Sequence, residues 1–282
     1  MNRRNRMLDA LGIGTLWELR PIGASADARQ AVAGVDAEGE PAAGSSETSR
    51  AADDPKAVAR TAAMPAAAAA IGEFDAGKAS DEAIAAMDWA QLQSAVAGCT
   101  RCGLCASRTR TVFGVGDPKA QWLFIGEGPG RSEDQQGEPF VGPAGKLLDN
   151  MLSAMQLQRG RNAFIANVVK CRPTDASGKD RAPSPEEAAA CRPYLDRQIA
   201  LIAPSMLIAL GKVAATALLA SGPSTTLAAL RGKVHRAAAL PVVVTYHPAY
   251  LLRVPADKRK TWEDLCLAMA EHEGHSANVE PG

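Results

Sequence analysis

The cysteines are the first residues in this 282-residue chain whose types and spacing can do chemistry. Cys99, Cys102 and Cys105 repeat a C-x-x-C spacing, which brings two thiolates to one metal site. Cys171 and Cys191 are distant in sequence but can complete a set of four. Such a set binds zinc or an iron–sulfur cluster. The wide separation of the last two cysteines is untypical of a zinc ribbon and modestly favours the cluster.

A loop with three closely spaced glycines is the second candidate. Gly126-Glu127-Gly128-Pro129-Gly130 follows an apolar run, and its glycines allow a backbone to approach a ligand closely. The loop lacks the Gly-Lys-Ser/Thr of a P-loop. Pro129 and the polar residues after it argue against a direct continuation into a helix, which a dinucleotide-binding motif needs. The loop is therefore either a ligand cradle of another kind or a tight turn.

Three further side chains stand in loops or at the ends of apolar runs. Asn167 can read the edge of a base, because an amide both donates and accepts, or it can bond neighbouring backbone. Phe140, alone among Gly and Pro, can anchor its loop or stack on a planar ligand. His247 follows an apolar run and is made rigid by Pro248.

These candidates have to be positioned by alternating strands and helices. Short apolar runs predict strands at 121–125, 162–169, 206–210 and 241–245. Apolar periodicity and a capping box at Ser184 predict helices at 81–97, 144–155, 185–203, 212–220 and 256–272. This alternation implies a parallel sheet covered on both faces, with ligands at the carboxyl ends of its strands.

Composition limits the class of protein and divides the chain. The net charge is zero and 46% of residues are apolar, so a sizeable core is possible. Neither a run long enough to span a membrane nor a secretory signal is evident, and a reducing cytoplasm suits unpaired cysteines. We expect a short amphipathic helix at 1–20, a disordered linker rich in Ala, Asp, Glu, Gly and Ser at 21–82, a globular domain at 83–272 and a frayed tail at 273–282.

From Cys99 to Arg253 the chain resembles the type-4 (family 4) uracil-DNA glycosylases, the iron–sulfur branch of that superfamily. The segments that carry the resemblance are, in order, CTRCGLC with Arg108, GEGPGRSEDQQGEPFVGPAGKLLD, NVVKCRP, RAPSPEEAAAC, LRGKVH and HPAYLLR. Each is weak alone, but their joint order is highly specific and spans more than half of the chain. The resemblance implies an α/β fold, a three-layer α/β/α sandwich with a small, mainly four-stranded parallel sheet.

The resemblance also implies where the functional residues lie. It assigns a 4Fe–4S cluster to Cys99, Cys102, Cys171 and Cys191, with Cys105 as a spare thiol. It assigns the uracil pocket to Gly126, Glu127, Gly128, Phe140, Asn167 and His247. In this interpretation Phe140 stacks on the flipped base, and Asn167 reads its Watson–Crick edge and rejects cytosine. We add the hypothesis that Glu133 crowds the 5-position of the base and excludes thymine.

The implied reaction is hydrolysis of the N-glycosidic bond of uracil in DNA, which leaves an abasic site for base excision repair. His247 would stabilise the charge on the departing uracil. Other superfamily members carry an Asp that holds the attacking water where this chain has Gly128, so Glu127 is the nearest candidate for that task. Leu251 would fill the vacated base stack, and Arg253 would contact a phosphate.

A second class of function is a non-catalytic iron–sulfur redox or sensor protein on a flavodoxin-like scaffold. It explains the cysteines and the glycine loop, but not Asn167, His247 and Phe140 together. We expect a monomer that acts on uracil-containing DNA in the cytoplasm, with no membrane contact. The segment 1–20 is a candidate docking site for a protein partner, or it packs on the domain.

Overall fold

A six-stranded sheet forms the centre of the computed structural model, which describes residues 78–220, 222 and 224–277. The order across the sheet is β1-β3-β2-β4-β6-β5. The four central strands are parallel and the two edge strands are antiparallel to their neighbours. The strands are β1 (Val115–Gly116), β2 (Trp122–Gly126), β3 (Ala163–Asn167), β4 (Met206–Leu210), β5 (Val234–Ala237) and β6 (Leu240–Thr245).

Helices cover both faces of this sheet. Two short 3-10 turns, Gly103–Ala106 and Pro255–Asp257, interrupt the chain between them. The helices are α1 (Asp81–Ala86), α2 (Trp89–Ala97), α3 (Arg131–Gln136), α4 (Pro143–Ala154), α5 (Pro185–Ile202), α6 (Lys212–Leu219), α7 (Leu227–Leu230), α8 (Pro248–Arg253) and α9 (Lys258–Ala277). The predicted α/β/α sandwich with four parallel strands is confirmed.

Alternate strand residues feed two separate cores, which is what a sheet buried on both faces requires. In β2, Leu123 and Ile125 pack in the core beneath α1, α2, α5 and α6. Trp122 and Phe124 point to the opposite face and pack in the core beneath α4, α8 and α9. The four central strands are therefore apolar up to the polar residues Asn167 and Thr245 that end β3 and β6, which made these strands visible in the sequence.

The edge strands and several helix ends differ from the prediction. The edge strands β1 and β5 are short and not fully buried, so they gave no apolar run. The helix predicted over 81–97 is broken at Met87–Asp88, because Asp88 and Gln91 form a capping box that starts α2. A short α3 does begin directly after Gly130, although Pro129 argued against a helix there.

The predicted division of the chain meets the structure only in part. The predicted helix at 1–20 and most of the linker at 21–82 lie outside the described residues. Helix α1 begins at Asp81, two positions before the expected start of the domain. Helix α9 continues to Ala277, so the expected frayed tail begins within a helix. Among the described residues, no helix is long and apolar enough to cross a membrane.

Candidate active site

The carboxyl ends of β2, β3 and β6 meet at a cleft of about 570 Å³. This is the position that parallel sheets use for ligands. Six of the seven residues predicted to bind the base line the cleft or its mouth, and Gly126 lies directly beneath it. The lining residues are Glu127, Gly128, Glu133, Phe140, Asn167 and His247. Sheet topology thus gathers candidates that are up to 120 positions apart in the sequence.

Asn167 is buried at the floor of this cleft and has an unsatisfied polar atom. Only 2% of the residue is exposed, and its Oδ1 atom has no hydrogen-bond partner among the described residues. An unpaired buried carbonyl oxygen is costly in a folded protein and points to a ligand that completes it. The alternative, that the side chain simply bonds neighbouring backbone, does not hold for this oxygen.

Gly126 makes room for the side chains on either side of it. A Cβ atom there would lie 2.4 Å from Asn167 Oδ1 and 2.7 Å from Phe140 Cζ. Gly128 is similarly confined, because a Cβ would lie 2.7 Å from Val169 Cγ2. A side chain at position 128 would therefore have to displace Val169 Cγ2.

Phe140 and His247 form one wall of the cleft. Their ring centroids are 5.4 Å apart and their planes are inclined by 28°. Phe140 adopts a left-handed backbone conformation with φ of 56°. This conformation costs a non-glycine residue about 1–2 kcal/mol, so its surroundings must hold it in place. Gly145 contributes by its lack of a side chain, since a Cβ there would lie 1.7 Å from Phe140 O.

His247 is held neutral at the base of the cleft. Burial, reinforced by the positive charge of Arg253, lowers the pKa of its imidazole to about 4. The backbone N–H of Ala249 donates to Nδ1 at 3.2 Å. Because Nδ1 accepts, the proton of the neutral ring lies on Nε2. The ring can therefore donate a hydrogen bond from Nε2 without carrying a positive charge.

The two carboxylates at the cleft have different surroundings. Burial raises the pKa of Glu127, for which the structure gives no opposing partner charge. Glu133 instead accepts hydrogen bonds at Oε1 from the backbone N–H groups of Val141 and Gly142, at 3.2 and 3.4 Å. Glu133 thus has a structural task in addition to facing the cleft, whereas Glu127 is available for a ligand or water.

Five of the six cysteines surround a second cavity, on the other side of the loop after β3. Cys99 and Cys102 come from the segment after α2, Cys171 follows β3 and Cys191 lies in α5; Cys105, the expected spare, lines the same cavity. Nitrogen donors point at three of the sulfurs. Arg101 N lies 3.5 Å from Cys99 Sγ, Lys170 N lies 3.3 Å from Cys191 Sγ, and Arg108 Nη1 lies 3.3 Å from Cys171 Sγ.

The donor set of this cavity is compatible with an iron–sulfur cluster. In the described part of the chain, no group of three or more His, Cys, Asp or Glu side chains is arranged to hold a single metal ion. Cysteines that hold an iron–sulfur cluster bind separate iron atoms and so stand around a larger centre, while hydrogen bonds to their sulfurs tune it. The thiols and donors therefore suit a multi-iron group.

Comparison with known proteins agrees with this geometry. Residues 113–267, more than half of the chain, match the Uracil DNA glycosylase superfamily. A type-4 uracil-DNA glycosylase of Pyrobaculum aerophilum is 41% identical over 187 residues, which cover 64% of this chain and 93% of that protein. One of Archaeoglobus fulgidus is 42% identical over 166 residues, 57% of this chain and 81% of that protein. The chain belongs to the type-4 family of uracil-DNA glycosylases.

Membership of the type-4 family confirms the resemblance inferred from the motifs. It favours the enzyme over the iron–sulfur sensor that the sequence left as an alternative. A further type-4 uracil-DNA glycosylase, from Thermotoga maritima, is 41% identical over 156 residues, 55% of this chain and 78% of that protein.

The predicted wedge residue of this type-4 glycosylase, Leu251, is buried in the described structure. Leu251 is 1% exposed and packs in the core, so it is not available to enter a base stack. Residues Pro248–Arg253 form helix α8, which His247 caps and Pro248 begins. Helical geometry turns Leu251 inward and the next residue, Leu252, outward, where it is 45% exposed. Arg253 ends α8 and lines the mouth of the cleft.

Two parts of the type-4 site were not predicted from the sequence. Asp180 and Arg181 form a wall of the cleft, in a segment fixed by the ion pairs Arg172–Asp180 and Arg181–Glu187. Arg159 contacts the backbone on the far side of Phe140. The arginine and acidic residues between Cys171 and Cys191 were a weak sequence signal for Asp180 and Arg181. Nothing in the sequence around Arg159 marks it.

Proposed function

We propose that this chain removes uracil from DNA by hydrolysing the bond between the base and deoxyribose, which leaves an abasic site for repair. The observation that carries the proposal is the buried, unpaired Oδ1 atom of Asn167 at the floor of the cleft. Uracil offers an N3–H donor to this oxygen and an O4 acceptor to the amide nitrogen. Cytosine offers the opposite pattern, an unprotonated N3 and an amino group, and would leave both amide atoms unmatched.

Recognition and reaction divide among four residues of the cleft. Phe140 stacks on the extruded base, and the Nε2–H of His247 donates to uracil O2 as negative charge develops there. The bond from C1′ to N1 breaks with its electron pair passing to uracil, and a water oxygen bonds to C1′. Glu127 is the nearest free carboxylate and orients this water and accepts its proton. Glu133, which also faces the cleft, excludes the thymine methyl group.

The four cysteines Cys99, Cys102, Cys171 and Cys191 would hold a 4Fe–4S cluster. Such a cluster would supply a cross-link between the segment after α2, the loop after β3 and helix α5, rather than chemistry at the base. The support is the donor set around the cavity, with nitrogen donors aimed at three of these sulfurs. Cys105 reaches the cavity as well and is assigned no ligand role.

Contacts to the DNA outside the pocket follow from the exposed side chains at the mouth. We place Arg253 against a phosphate and assign the wedge to Leu252 in place of the buried Leu251. We further expect the enzyme to act as a monomer on chromosomal DNA in the cytoplasm. Light scattering and cell fractionation would test those two statements.

The test is a fluorescent oligonucleotide with one uracil, followed by alkaline cleavage at abasic sites. We expect strand cleavage with uracil and none with thymine or cytosine. Asn167→Ala and His247→Ala should each lower the single-turnover rate by about 10²–10³. Glu133→Ala should gain measurable excision of thymine. Protein that keeps its iron absorbance but cleaves no uracil strand would refute the proposal, and unchanged base selectivity of Glu133→Ala would remove the role of that residue.

A further inference from the structure

The guanidinium of Arg159 lies behind the cleft and binds the backbone that carries Phe140. Arg159 Nη1 donates to Pro139 O at 2.8 Å, and Nη2 donates to Phe140 O at 2.9 Å. Arg159 belongs to the connection between α4 and β3, outside the cleft lining. It therefore contacts the residue proposed to stack on the base without touching the space that the base would occupy.

Phe140 needs such support because its backbone is in an unfavourable conformation. Its φ of 56° is left-handed, and its carbonyl group is pressed against helix α4 at Gly145. On the other side of the residue, Glu133 accepts hydrogen bonds from the N–H groups of Val141 and Gly142. The guanidinium of Arg159 thus holds the carbonyl groups of residues 139 and 140. The carboxylate of Glu133 holds the N–H groups of the two residues that follow.

The remaining donors of Arg159 tie this turn to helix α4. Nε and Nη2 both donate to Asp149 Oδ1, at 3.1 and 2.9 Å, and Nη1 lies 3.5 Å from Glu138 Oε1. Asp149 lies within α4. Only a planar group with several fixed N–H bonds can reach two carbonyl oxygens and a carboxylate together, so a lysine would replace part of these contacts.

We propose that Arg159, fixed by Asp149, is a positioning residue. It holds the Phe140 ring in the orientation needed for base stacking, so that the rate of uracil excision depends on it. The inference rests on the proposed function of Phe140 in the uracil pocket. Removal of the guanidinium frees the turn to leave its left-handed conformation, which moves the ring away from His247. Small displacements of a group that orients a substrate lower rates by large factors.

The experiment is a double-mutant cycle on the full-length protein with its iron content verified. Single-turnover excision rates are measured for Arg159→Ala, Phe140→Ala and the double variant on a uracil oligonucleotide. We expect Arg159→Ala to lower the rate by about tenfold to hundredfold in the wild-type background and by less than about twofold in the Phe140→Ala background. A merely structural loss would slow excision equally in both backgrounds.

Further variants grade the effect and control for charge. Arg159→Lys and Asp149→Asn should give smaller losses that also vanish in the Phe140→Ala background. If Arg159→Ala does not fold, these two variants take its place in the double-mutant cycle. Arg161→Ala is the matched control, because Arg161 is exposed, lies two positions away and makes no hydrogen bond to the turn within the described structure. It should keep the wild-type rate within about twofold.

The outcomes separate this inference from the proposed function. A wild-type rate for Phe140→Ala would refute the stacking role itself. A slow Phe140→Ala together with a wild-type rate for Arg159→Ala, or equal losses for Arg159→Ala in both backgrounds, would refute the positioning role alone and leave the pocket intact.

Discussion

The pocket requires that residue 126 has no side chain, as glycine provides. The Asn167 amide and the Phe140 ring both approach the backbone of Gly126 within distances that no Cβ atom tolerates. The three residues come from β2, β3 and the turn before α4. A close approach of this kind, rather than an unusual backbone angle, is what glycine supplies at this position.

Gly126→Ala should therefore impair the pocket more than the fold. The new methyl group would displace Asn167 Oδ1 or the Phe140 ring. We expect the single-turnover excision rate to fall by about 10²-fold or more, because the recognition amide is moved. Circular dichroism and thermal unfolding check that the fold survives. A variant that is fully active would mean that the pocket is wider in solution than the described structure indicates.

His247 should act as a neutral donor throughout the physiological range. Its pKa is lowered to about 4, mainly by burial, so the imidazole is uncharged from pH 5 to 8. We expect its ring resonances in NMR spectra to show no titration in that range. Any acid limb of the pH–rate profile should follow Glu127, whose pKa is raised by burial, and should be lost in Glu127→Gln. A His247 titration near pH 6.5 would contradict the assignment.

The lowered pKa of His247 also affects how the stability of the fold depends on pH. In the unfolded chain this histidine binds a proton at its ordinary pKa of about 6.5, whereas in the folded protein it does so only near pH 4. The unfolded state therefore binds more protons between these values, and the contribution of this group to stability falls as the pH drops through that window. His247→Gln should flatten this part of the dependence of unfolding free energy on pH.

At the scale of elements, helix α8 decides which leucine of this segment is exposed. A loop would leave both leucines of the HPAYLLR segment as candidates, but one helical turn fixes Leu251 in the core and Leu252 at the surface. The helix begins where His247 caps it, so the residue that lines the cleft also starts the helix that exposes Leu252.

Leu252→Ala and Leu251→Ala should fail in different ways. We expect Leu252→Ala to slow uracil excision from duplex DNA about tenfold, with a smaller effect on single strands and a change in stability within about 0.5 kcal/mol. Leu251→Ala should instead lower the free energy of unfolding by about 2–5 kcal/mol, as expected for a buried leucine. Rates on both substrates and chemical denaturation distinguish them. A strong stability loss in Leu252→Ala would contradict the assignment.

At the scale of the whole molecule, the cysteine cavity, which five of the six cysteines surround, lies where parts of the chain meet that the sheet alone leaves separate. The segment after α2, the loop after β3 and helix α5 meet there, close to the strand that ends at Asn167. Lys170 strengthens the connection, since its buried Nζ donates to Asn167 O at 2.8 Å and to Gln198 Oε1 at 2.6 Å. The cysteine cavity and the base cleft therefore share one supporting network.

Cys171→Ser should lose the iron and much of the stability, while Cys105→Ser should keep both. The first residue is assigned as a cluster ligand and the second is not, although both line the cavity. Iron analysis, visible absorbance and thermal unfolding of the two variants are the measurements. Loss of iron in Cys105→Ser with retention in Cys171→Ser would reverse the assignment of ligands.

Removal of residues 1–77 should leave excision from short oligonucleotides unchanged within about twofold. Every residue assigned to the pocket, the cysteine cavity and the DNA contacts lies after this segment. The comparison is made at equal iron content, with thermal unfolding as the control. A loss of activity without a loss of stability would give the segment a part in DNA binding rather than in the predicted docking of a protein partner.

Most of the site was predictable because its residue types are uncommon where they stand. An amide ending an apolar strand, a histidine after another strand and a glycine-rich loop after a third led to Asn167, His247 and Gly126, and the ordered motifs led to the family. Arg159 was not predictable, because its partners are backbone carbonyl groups, which have no signature in sequence. The break at Asp88 was readable from its capping box, but the continuous helical pattern hid it.

The parallel α/β sheet, the family and the residue types in the pocket could be read from the sequence, because strand hydrophobicity and motif order are local properties. The folded chain was needed to show which polar atoms remain unpaired, which leucine is exposed and what holds Phe140 in its left-handed conformation. Those properties depend on distances between segments far apart in the chain. They are fixed when β2, β3 and β6 align their carboxyl ends and the connecting helices pack on the sheet.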